Sequence, residues 1–185
     1  GCEIVPGVMI PPDFGTFWAQ AAQQGFNPKV ATIGKALLFP SAIEALGDRG
    51  VGLTSEIWWS PSHPFSSSLT GTSAGDLAAG FTQATGRPWT QPIGFKHALF
   101  EVVADTISRA EDLDDPDAIA AAIKGTNMST IVGDVNWSNG PVPNVSKTPL
   151  VSGQWQAAGD GVELVITNNK HAPAIPVGGE LQLLG

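Results

Sequence analysis

Short apolar runs and amphipathic helical stretches alternate along the first third of the chain. Three runs of β-branched and apolar residues predict strands, at 2–9, 29–33 and 51–57. Apolar side chains recur at helical spacing between the first two strands, at Phe14, Phe17, Trp18 and Ala21. A shorter helix is predicted at 41–46, between the second and third strands. This alternation predicts an α/β fold with a parallel sheet flanked by helices.

The rest of the chain separates into a helical part and a strand-rich part. Residues 60–71 are rich in Ser, Pro, Thr and Gly and are interpreted as a crossing segment or loop. Helices are predicted at 73–85, 93–109 and 115–124, the last with Asp115 as N-cap and Gly125 as its stop. Short strands are predicted after Thr130, at 131–137, 150–156 and 162–167.

Composition narrows the class of partners. The 185 residues are 42% hydrophobic and 14% charged, which is typical of a folded globular protein. Seventeen acidic and nine basic side chains give a net charge of -8, which repels phosphate backbones. Nucleic acid is therefore not an expected partner. Cys2 is the single cysteine, which excludes an internal disulfide and a Cys-rich metal site.

The first residues of the sequence do not have the pattern of a signal peptide. No apolar run approaches the length of a membrane span, and no basic region followed by an apolar one opens the chain. The sequence instead begins directly on a strand-like run, Cys2-Glu3-Ile4-Val5. We therefore expect the sequence to begin in the middle of a longer chain.

One short pattern suggests catalysis. Gly71-Thr72-Ser73-Ala74-Gly75 matches the G-x-S-x-G turn that exposes a nucleophilic serine between a strand and a helix. The residues before it, 65–70, are polar and loop-like, whereas the motif needs a buried strand there. Ser73 is better interpreted as an N-cap with Asp76 in the first helical turn. A serine hydrolase using Ser73 is kept as a minor alternative, and the favoured interpretation is a protein that is not an enzyme.

No cofactor or metal site is indicated. His63, His97 and His171 lie far apart in sequence, without a second ligand at metal-binding spacing. We expect His97 to be packed or half-exposed on its helix and the other two to be solvated in loops. The acidic residues at 111–117 lack the ligand spacing and central glycine of a calcium loop and are interpreted as a solvated helix start. Glycine-rich nucleotide motifs are absent from the sequence.

Candidate ligand-binding residues follow the predicted strands directly. They are Met9, Ile10 and Pro11 after the first strand, Lys35 after the second, and Trp58 and Trp59 after the third. Ligands of open α/β sheets bind outside the carboxyl ends of the strands. Strand alternation turns at most one of the two tryptophans toward a ligand, and the sequence does not decide which. Lys35 is the single charge in these loops and would anchor a carboxylate, although a solvated lysine is an equal alternative.

Several segments, in this order and spacing, resemble a known family. They are IPPDF at 10–14, WAQAAQQGF at 18–26, AAGF at 78–81, TG at 85–86, PIGF at 92–95, TIVG at 130–133 and LVSGQW at 150–155. The chain resembles the C-terminal portion of periplasmic solute-binding proteins of branched-chain amino acid ABC transporters, which have the type I periplasmic binding fold. No single segment is diagnostic, and the resemblance covers most of the chain.

The resemblance implies two Rossmann-like lobes joined by three crossings, which close over a ligand by hinge motion. It assigns residues 1–66 to the later part of lobe two, 67–125 to a helical segment of lobe one, and 126–185 to closing strands and a C-terminal tail. The remainder of both lobes, and any lipid-anchoring cysteine, would precede Gly1. The implied function is an extracytoplasmic solute-binding component, periplasmic or extracellular, whose closed form a membrane permease recognises. A ligand-sensing receptor domain of the same fold remains an alternative.

The resemblance also bears on the ligand. Family members that bind amino acids hold the α-ammonium with an acidic residue in the loop matching 34–37, and this loop contains Lys35 but no acid. A family aromatic contact would fall at Met9 or Ile10, and a further one near Phe95. Lys35 together with Trp58 or Trp59 suggests an aromatic or other apolar carboxylate without an amine, while an amino acid remains open.

Overall fold

The computed structural model describes all 185 residues and divides them into two compact units. Unit 1 comprises Gly1–Ile57 together with Leu150–Gly185, and unit 2 comprises Trp58–Pro149. In chain order the elements are β1 (Ile4–Val8), α1 (Pro11–Gln23), β2 (Val30–Gly34), α2 (Pro40–Glu44), a 3-10 helix (Gly47–Gly50), β3 (Thr54–Ile57), α3 (Ala74–Thr85), α4 (Pro92–Arg109), α5 (Pro116–Lys124), β4 (Asn127–Thr130), β5 (Gly133–Asn136), β6 (Val151–Ala158) and β7 (Gly161–Asn168). None of these helices combines the length and apolar character needed to cross a membrane.

Unit 1 is built on a five-stranded sheet with the order β1-β2-β3-β6-β7. The first three strands are parallel, as the alternation of strands and helices predicts. The two closing strands are antiparallel: β6 pairs with β3, and β7 pairs with β6. The α/β class with a parallel-rich sheet is therefore confirmed. β1 and β7 form the two edges, and β1 contains Pro6.

The two faces of this sheet differ in burial. Ala31 and Ile33 of β2 are fully buried, whereas Thr32 between them is exposed, as is Val8 of β1. Helix α1 contributes Phe14, Trp18 and Ala21 to the core, the stripe that its helical spacing predicts. Trp18 Nε1 donates to Arg49 O at 2.9 Å and Arg49 Nη1 donates to Trp18 O at 2.7 Å, which fixes α1 to the 3-10 helix.

Unit 2 combines three helices with a two-stranded hairpin of β4 and β5. Its core contains small and large apolar side chains: Trp59, Ala74, Ala78, Ala98, Ile131 and Val132. The strand predicted at 131–137 is observed at Gly133–Asn136, and only its first two residues and its last one lie outside the strand. Gly133 has φ +102°, a conformation that favours glycine, so the chain reverses there. Ile131 and Val132 lie in the turn and are buried in the core.

A buried carboxylate connects three parts of unit 2. Glu101 on α4 is fully buried. Its Oε1 accepts hydrogen bonds from the Ser68 N–H at 2.5 Å and the Ser68 hydroxyl at 2.8 Å, and its Oε2 accepts one from the Ile131 N–H at 3.0 Å. One side chain therefore holds both the loop before α3 and the hairpin turn against α4.

The predicted helix starts are confirmed at two positions. Ser73 Oγ accepts the Asp76 N–H at 3.1 Å at the start of α3, and Asp115 Oδ1 accepts the Asp117 N–H at 3.0 Å at the start of α5. Each side chain satisfies a backbone donor that the first helical turn leaves unpaired. Gly86, with φ +67°, ends α3.

The compact units divide the chain at other points than the segments drawn from the resemblance. Residues 58–66 belong to unit 2 with the helices, and residues 126–149 belong there as well. Only the part from Leu150 onward joins the strands of unit 1. The assignment of residues 1–66, 67–125 and 126–185 to lobes of a larger protein stays a prediction.

Candidate functional site

Two of the predicted strand-end positions lie side by side in unit 1. Met9 is half-buried directly after β1, and its N–H donates to Gly34 O at 3.3 Å, which places it beside the turn that carries Lys35. Ile10 is 43% exposed and serves as the N-cap of α1, although its side chain makes no capping bond. Pro11 is the first residue of α1 and lines a different cavity, of about 620 Å³, between α1 and α2.

Lys35 occupies an unusual backbone conformation. Its φ is +66°, in the left-handed region that residues with a side chain seldom adopt, so the turn carries strain of about 1 kcal/mol. The Lys35 N–H donates to Glu56 Oε1 at 3.0 Å, which stabilises the turn. The Lys35 side chain is exposed and forms no ion pair. Its ammonium is therefore available to solvent or to a ligand.

Glu56 is a site residue that the sequence analysis missed. Its Oε2 lies 3.0 Å from Ser55 Oγ, and a Cβ added at Gly34 would lie 3.1 Å from the same oxygen. A side chain at position 34 would crowd the carboxylate, which would have to move by a few tenths of an ångström. The signal was an acidic residue at the carboxyl end of a predicted buried strand, where a charge needs a partner or a functional reason.

Gly34 and Glu56 line a cavity of about 540 Å³ at the carboxyl ends of β1, β2 and β3. The predicted ligand-binding residues of unit 1, Met9, Ile10, Pro11 and Lys35, are not part of its lining. Its lining includes Val8, Thr32, Gly34, Glu56, Ser152 and His171. In register, Val8 pairs with Gly34, and Glu56 pairs with Ser152 at the start of β6. An acidic group, hydroxyls and apolar side chains thus lie together at the carboxyl ends of the strands. This is the place where α/β sheets bind ligands.

The two tryptophans of unit 2 have different surroundings. Trp59 is fully buried and contacts Trp89 edge-on, with ring centroids 6.1 Å apart, so it belongs to the core. Trp58 is half-buried, and its ring meets Phe95 edge-on at 5.5 Å. The Trp58 N–H donates to Gln91 Oε1 at 2.8 Å. Of the two, Trp58 is the one with ring surface free to contact a ligand.

His63 was predicted to be solvated, and this prediction is wrong. The side chain is 3% exposed and meets Phe65 edge-on. His63 Nδ1 accepts the Ser60 N–H at 3.0 Å, so the proton of the neutral ring is on Nε2. Burial lowers the pKa of His63 from 6.5 to about 4, because the charged ring loses its hydration.

Unfolding should therefore depend on pH through His63. In the unfolded chain the ring binds a proton below its ordinary pKa of 6.5, whereas the folded ring stays neutral down to about 4. The free energy of unfolding should fall by roughly 2 kcal/mol between pH 7 and pH 5 from this group alone. Urea unfolding of His63→Asn, which keeps an acceptor for Ser60, should show a correspondingly weaker dependence. His171→Asn, at an exposed position, is the control, and an unchanged slope in His63→Asn would contradict the assignment.

The serine of the G-x-S-x-G motif caps helix α3, as its alternative interpretation predicts. The Ser73 hydroxyl donates to Asp76 Oδ2 at 2.7 Å and accepts a backbone N–H, so it is occupied as a cap, and the residues before it form no strand. A second serine, Ser67, lies 2.6 Å from His97 Nε2. Ser67 is 4% exposed, and its oxygen accepts the Leu69 and Thr70 N–H groups at 3.2 Å each. Both lone pairs of this buried hydroxyl are therefore occupied, and the side chain fixes the loop before α3.

The acidic stretch at 111–117 has local roles. Asp112 and Asp115 each accept a backbone N–H two residues later, at 2.8 and 3.0 Å. No group of three or more His, Cys, Asp or Glu side chains is arranged to hold a metal ion.

The chain is similar to proteins of known family and structure. The family model described as periplasmic binding protein matches residues 1–160. Among solved structures, a leucine-binding protein from Thermotoga maritima has a TM-score of 0.67 at 18% identity, over 91% of this chain and 45% of that one. A solute-binding protein from Rhodopseudomonas palustris in complex with 4-hydroxybenzoate has a TM-score of 0.66 at 12% identity, over 100% and 45%. A branched-chain amino acid substrate-binding protein from Streptococcus pneumoniae in complex with isoleucine has a TM-score of 0.59 at 9% identity, over 89% and 44%.

The chain spans a little less than half the length of these solved proteins. No individual curated protein matches the sequence. The structural likenesses, all below 20% identity, show the type I periplasmic binding fold, and the family model covers most of the chain. The chain therefore belongs to the periplasmic binding protein family.

Proposed function

We propose that this chain is part of the solute-binding component of an ABC transporter and binds a small organic carboxylate or an amino acid. The observation that carries this proposal is the family match over residues 1–160, together with a cavity at the carboxyl ends of three parallel strands. Membership of the family implies an extracytoplasmic location. Recognition by a membrane permease, and hinge closure over the ligand, belong to the same proposal.

The ligand-contacting groups are proposed separately for each unit. In unit 1, Met9, Ile10, Pro11 and Lys35 lie at or just after strand ends, and the exposed Lys35 ammonium suits a carboxylate. In unit 2, the half-buried pair of Trp58 and Phe95 offers an apolar ring surface, while Trp59 is committed to the core. Similar proteins are solved with isoleucine and with 4-hydroxybenzoate, so both ligand classes are compatible with the fold.

A thermal-shift screen of the full-length protein tests this function. Because a ligand that binds only the folded state stabilises it, a solute at 100 times its Kd should add about 2.7 kcal/mol and raise Tm by roughly 3 °C for a protein as long as these relatives. The panel contains amino acids, aromatic carboxylates and aliphatic carboxylates. Lys35→Met should reduce the shift given by a carboxylate ligand, whereas Lys170→Met, an exposed lysine in the same unit, should not. Absence of any shift across the panel would contradict solute binding.

A further inference from the structure

The two tryptophans that follow β3 are held by the same turn of helix α4. Gln91, Gly94 and Phe95 are spaced i, i+3 and i+4 at the start of this helix, so they lie on one face. Gln91 and Phe95 contact Trp58, and Gly94 lies against Trp59. One helical turn therefore determines the surroundings of both rings.

Gln91 holds the backbone of Trp58. The Gln91 side chain is fully buried and makes no capping bond with its own helix. Its Oε1 instead accepts the Trp58 N–H at 2.8 Å. Loss of this acceptor would leave a partly buried N–H without a partner, which costs more than an exposed hydrogen bond does. The backbone of Trp58, the first residue of unit 2, is therefore fixed to α4.

Phe95 constrains the ring of the same tryptophan. The two rings meet edge-on, with an interplanar angle of 80° and centroids 5.5 Å apart, which is a favoured aromatic geometry. Phe95 itself packs against the core of unit 2. With its backbone bonded to Gln91 and its ring against Phe95, the half-buried Trp58 exposes part of its ring in one orientation. A side chain that is already ordered loses less entropy when a ligand binds.

We propose that Gln91 is a positioning residue for solute binding, which holds the Trp58 ring in the orientation that contacts the solute. This proposal rests on the proposed solute-binding function and on Trp58 as one of its ligand contacts. Gln91 acts through Trp58 and does not touch the solute, because its own side chain is fully buried. A substitution of Gln91 should therefore weaken binding only while the Trp58 ring is present.

A double-mutant cycle in the full-length protein tests this dependence. Isothermal titration with 4-hydroxybenzoate, L-phenylalanine and L-leucine is carried out on the unsubstituted protein, Gln91→Leu, Trp58→Ala and the double variant. Gln91→Leu removes the acceptor and should weaken a bound probe by about 2- to 12-fold, the range expected when one more side chain must be ordered on binding. In the Trp58→Ala background the same substitution should cause no further loss, because two residues that act as one unit are not additive.

A second measurement follows the Trp58 ring without any solute. In fluorine NMR of protein labelled with fluorotryptophan, the signal of Trp58 is the one that Trp58→Phe removes. Gln91→Leu should shift and narrow this signal, because the ring becomes more mobile. Gln91→Glu keeps an oxygen at the acceptor position and should preserve both the signal and the affinity.

Two controls separate positioning from folding. Gln154→Leu makes the same substitution at another fully buried glutamine, whose Nε2 donates to Gly52 O at 2.8 Å in unit 1. It should lower stability and leave the Trp58 signal unchanged. Circular dichroism melting shows which variants are folded at the temperature of the titration. If Gln91→Leu does not fold, Gln91→Asn, which withdraws the acceptor by one methylene, takes its place in the cycle.

Three outcomes would overturn the proposal while leaving the solute-binding function intact. The first is an unchanged affinity of Gln91→Leu for every probe that the unsubstituted protein binds. The second is an equal loss of affinity with and without the Trp58 ring. The third is failure of all three probes in a protein that binds another solute of the wider panel. Failure of the whole panel would instead contradict the proposed function, and the Gln91 proposal with it.

Discussion

Replacing Trp59 with alanine should destabilise unit 2 by about 3 to 5 kcal/mol. Trp59 is fully buried, and its ring lies against Gly94 so closely that a Cβ added there would be 2.3 Å from ring carbons. The backbone of helix α4 therefore packs directly against the ring at Gly94. Because a helix backbone is rigid, it cannot easily move into the space that the ring leaves. Urea unfolding followed by circular dichroism measures the loss.

Trp58→Ala is the matched control, because it deletes the same side chain one residue earlier. Trp58 is half-buried, so the substitution removes less buried apolar surface and should lower the free energy of unfolding by about 1 to 2 kcal/mol. If the two variants lose the same stability, the assignment of Trp59 to the core and of Trp58 to a partly open surface is wrong.

Glu101→Ala should be the second most damaging substitution, with an expected loss of about 3 to 5 kcal/mol. Removal of the carboxylate leaves the Ser68 N–H, the Ser68 hydroxyl and the Ile131 N–H without their acceptor. The Ile131 N–H is buried and gains little from water, so its donor stays unsatisfied. Urea unfolding gives the magnitude, and hydrogen exchange should show faster exchange at Ser68 and Ile131.

Two further variants test this interpretation of Glu101. Glu101→Gln keeps the shape and one acceptor oxygen, so it should lose less than alanine does. Glu111→Ala removes an acidic side chain from an exposed position and should change stability by no more than about 0.5 kcal/mol. A loss in Glu101→Ala that is no larger than in Glu111→Ala would show that the buried hydrogen bonds contribute little.

The elements that could be predicted from sequence are those marked by residues within or next to them, such as capping residues, proline, glycine or β-branched side chains. Helix α5 begins at an Asp-Pro pair and ends before Gly125, and its bounds of Pro116–Lys124 lie within one residue of the prediction. The strand at 29–33 was predicted from β-branched residues and is observed at Val30–Gly34. In both cases the signal lies in adjacent residues, so it needs no knowledge of distant contacts.

The features that the sequence did not predict depend on the tertiary structure and not on the local residue pattern. Glu56 has functional interest only because β2 brings the Lys35 turn to it, which the sequence of β3 does not reveal. His63 lies in a polar, loop-like stretch, yet it is buried against Phe65 and Ser60. The strand predicted at 131–137 begins two residues too early, because Ile131 and Val132 resemble strand residues although the core of unit 2 buries them in a turn.

The proline within β1 limits how another strand can pair with the outer side of that strand. β1 is an edge of the five-stranded sheet, and its exposed side chains include Ile4 at 58% and Val8 at 77%. Apolar edge strands of this kind can recruit a strand from another molecule and start aggregation. Proline has no N–H to donate to an added strand, so Pro6 interrupts the hydrogen-bonding ladder that such recruitment needs. Any strand that pairs with the outer side of β1, from another molecule or from a longer form of this chain, would therefore lack a hydrogen bond at Pro6.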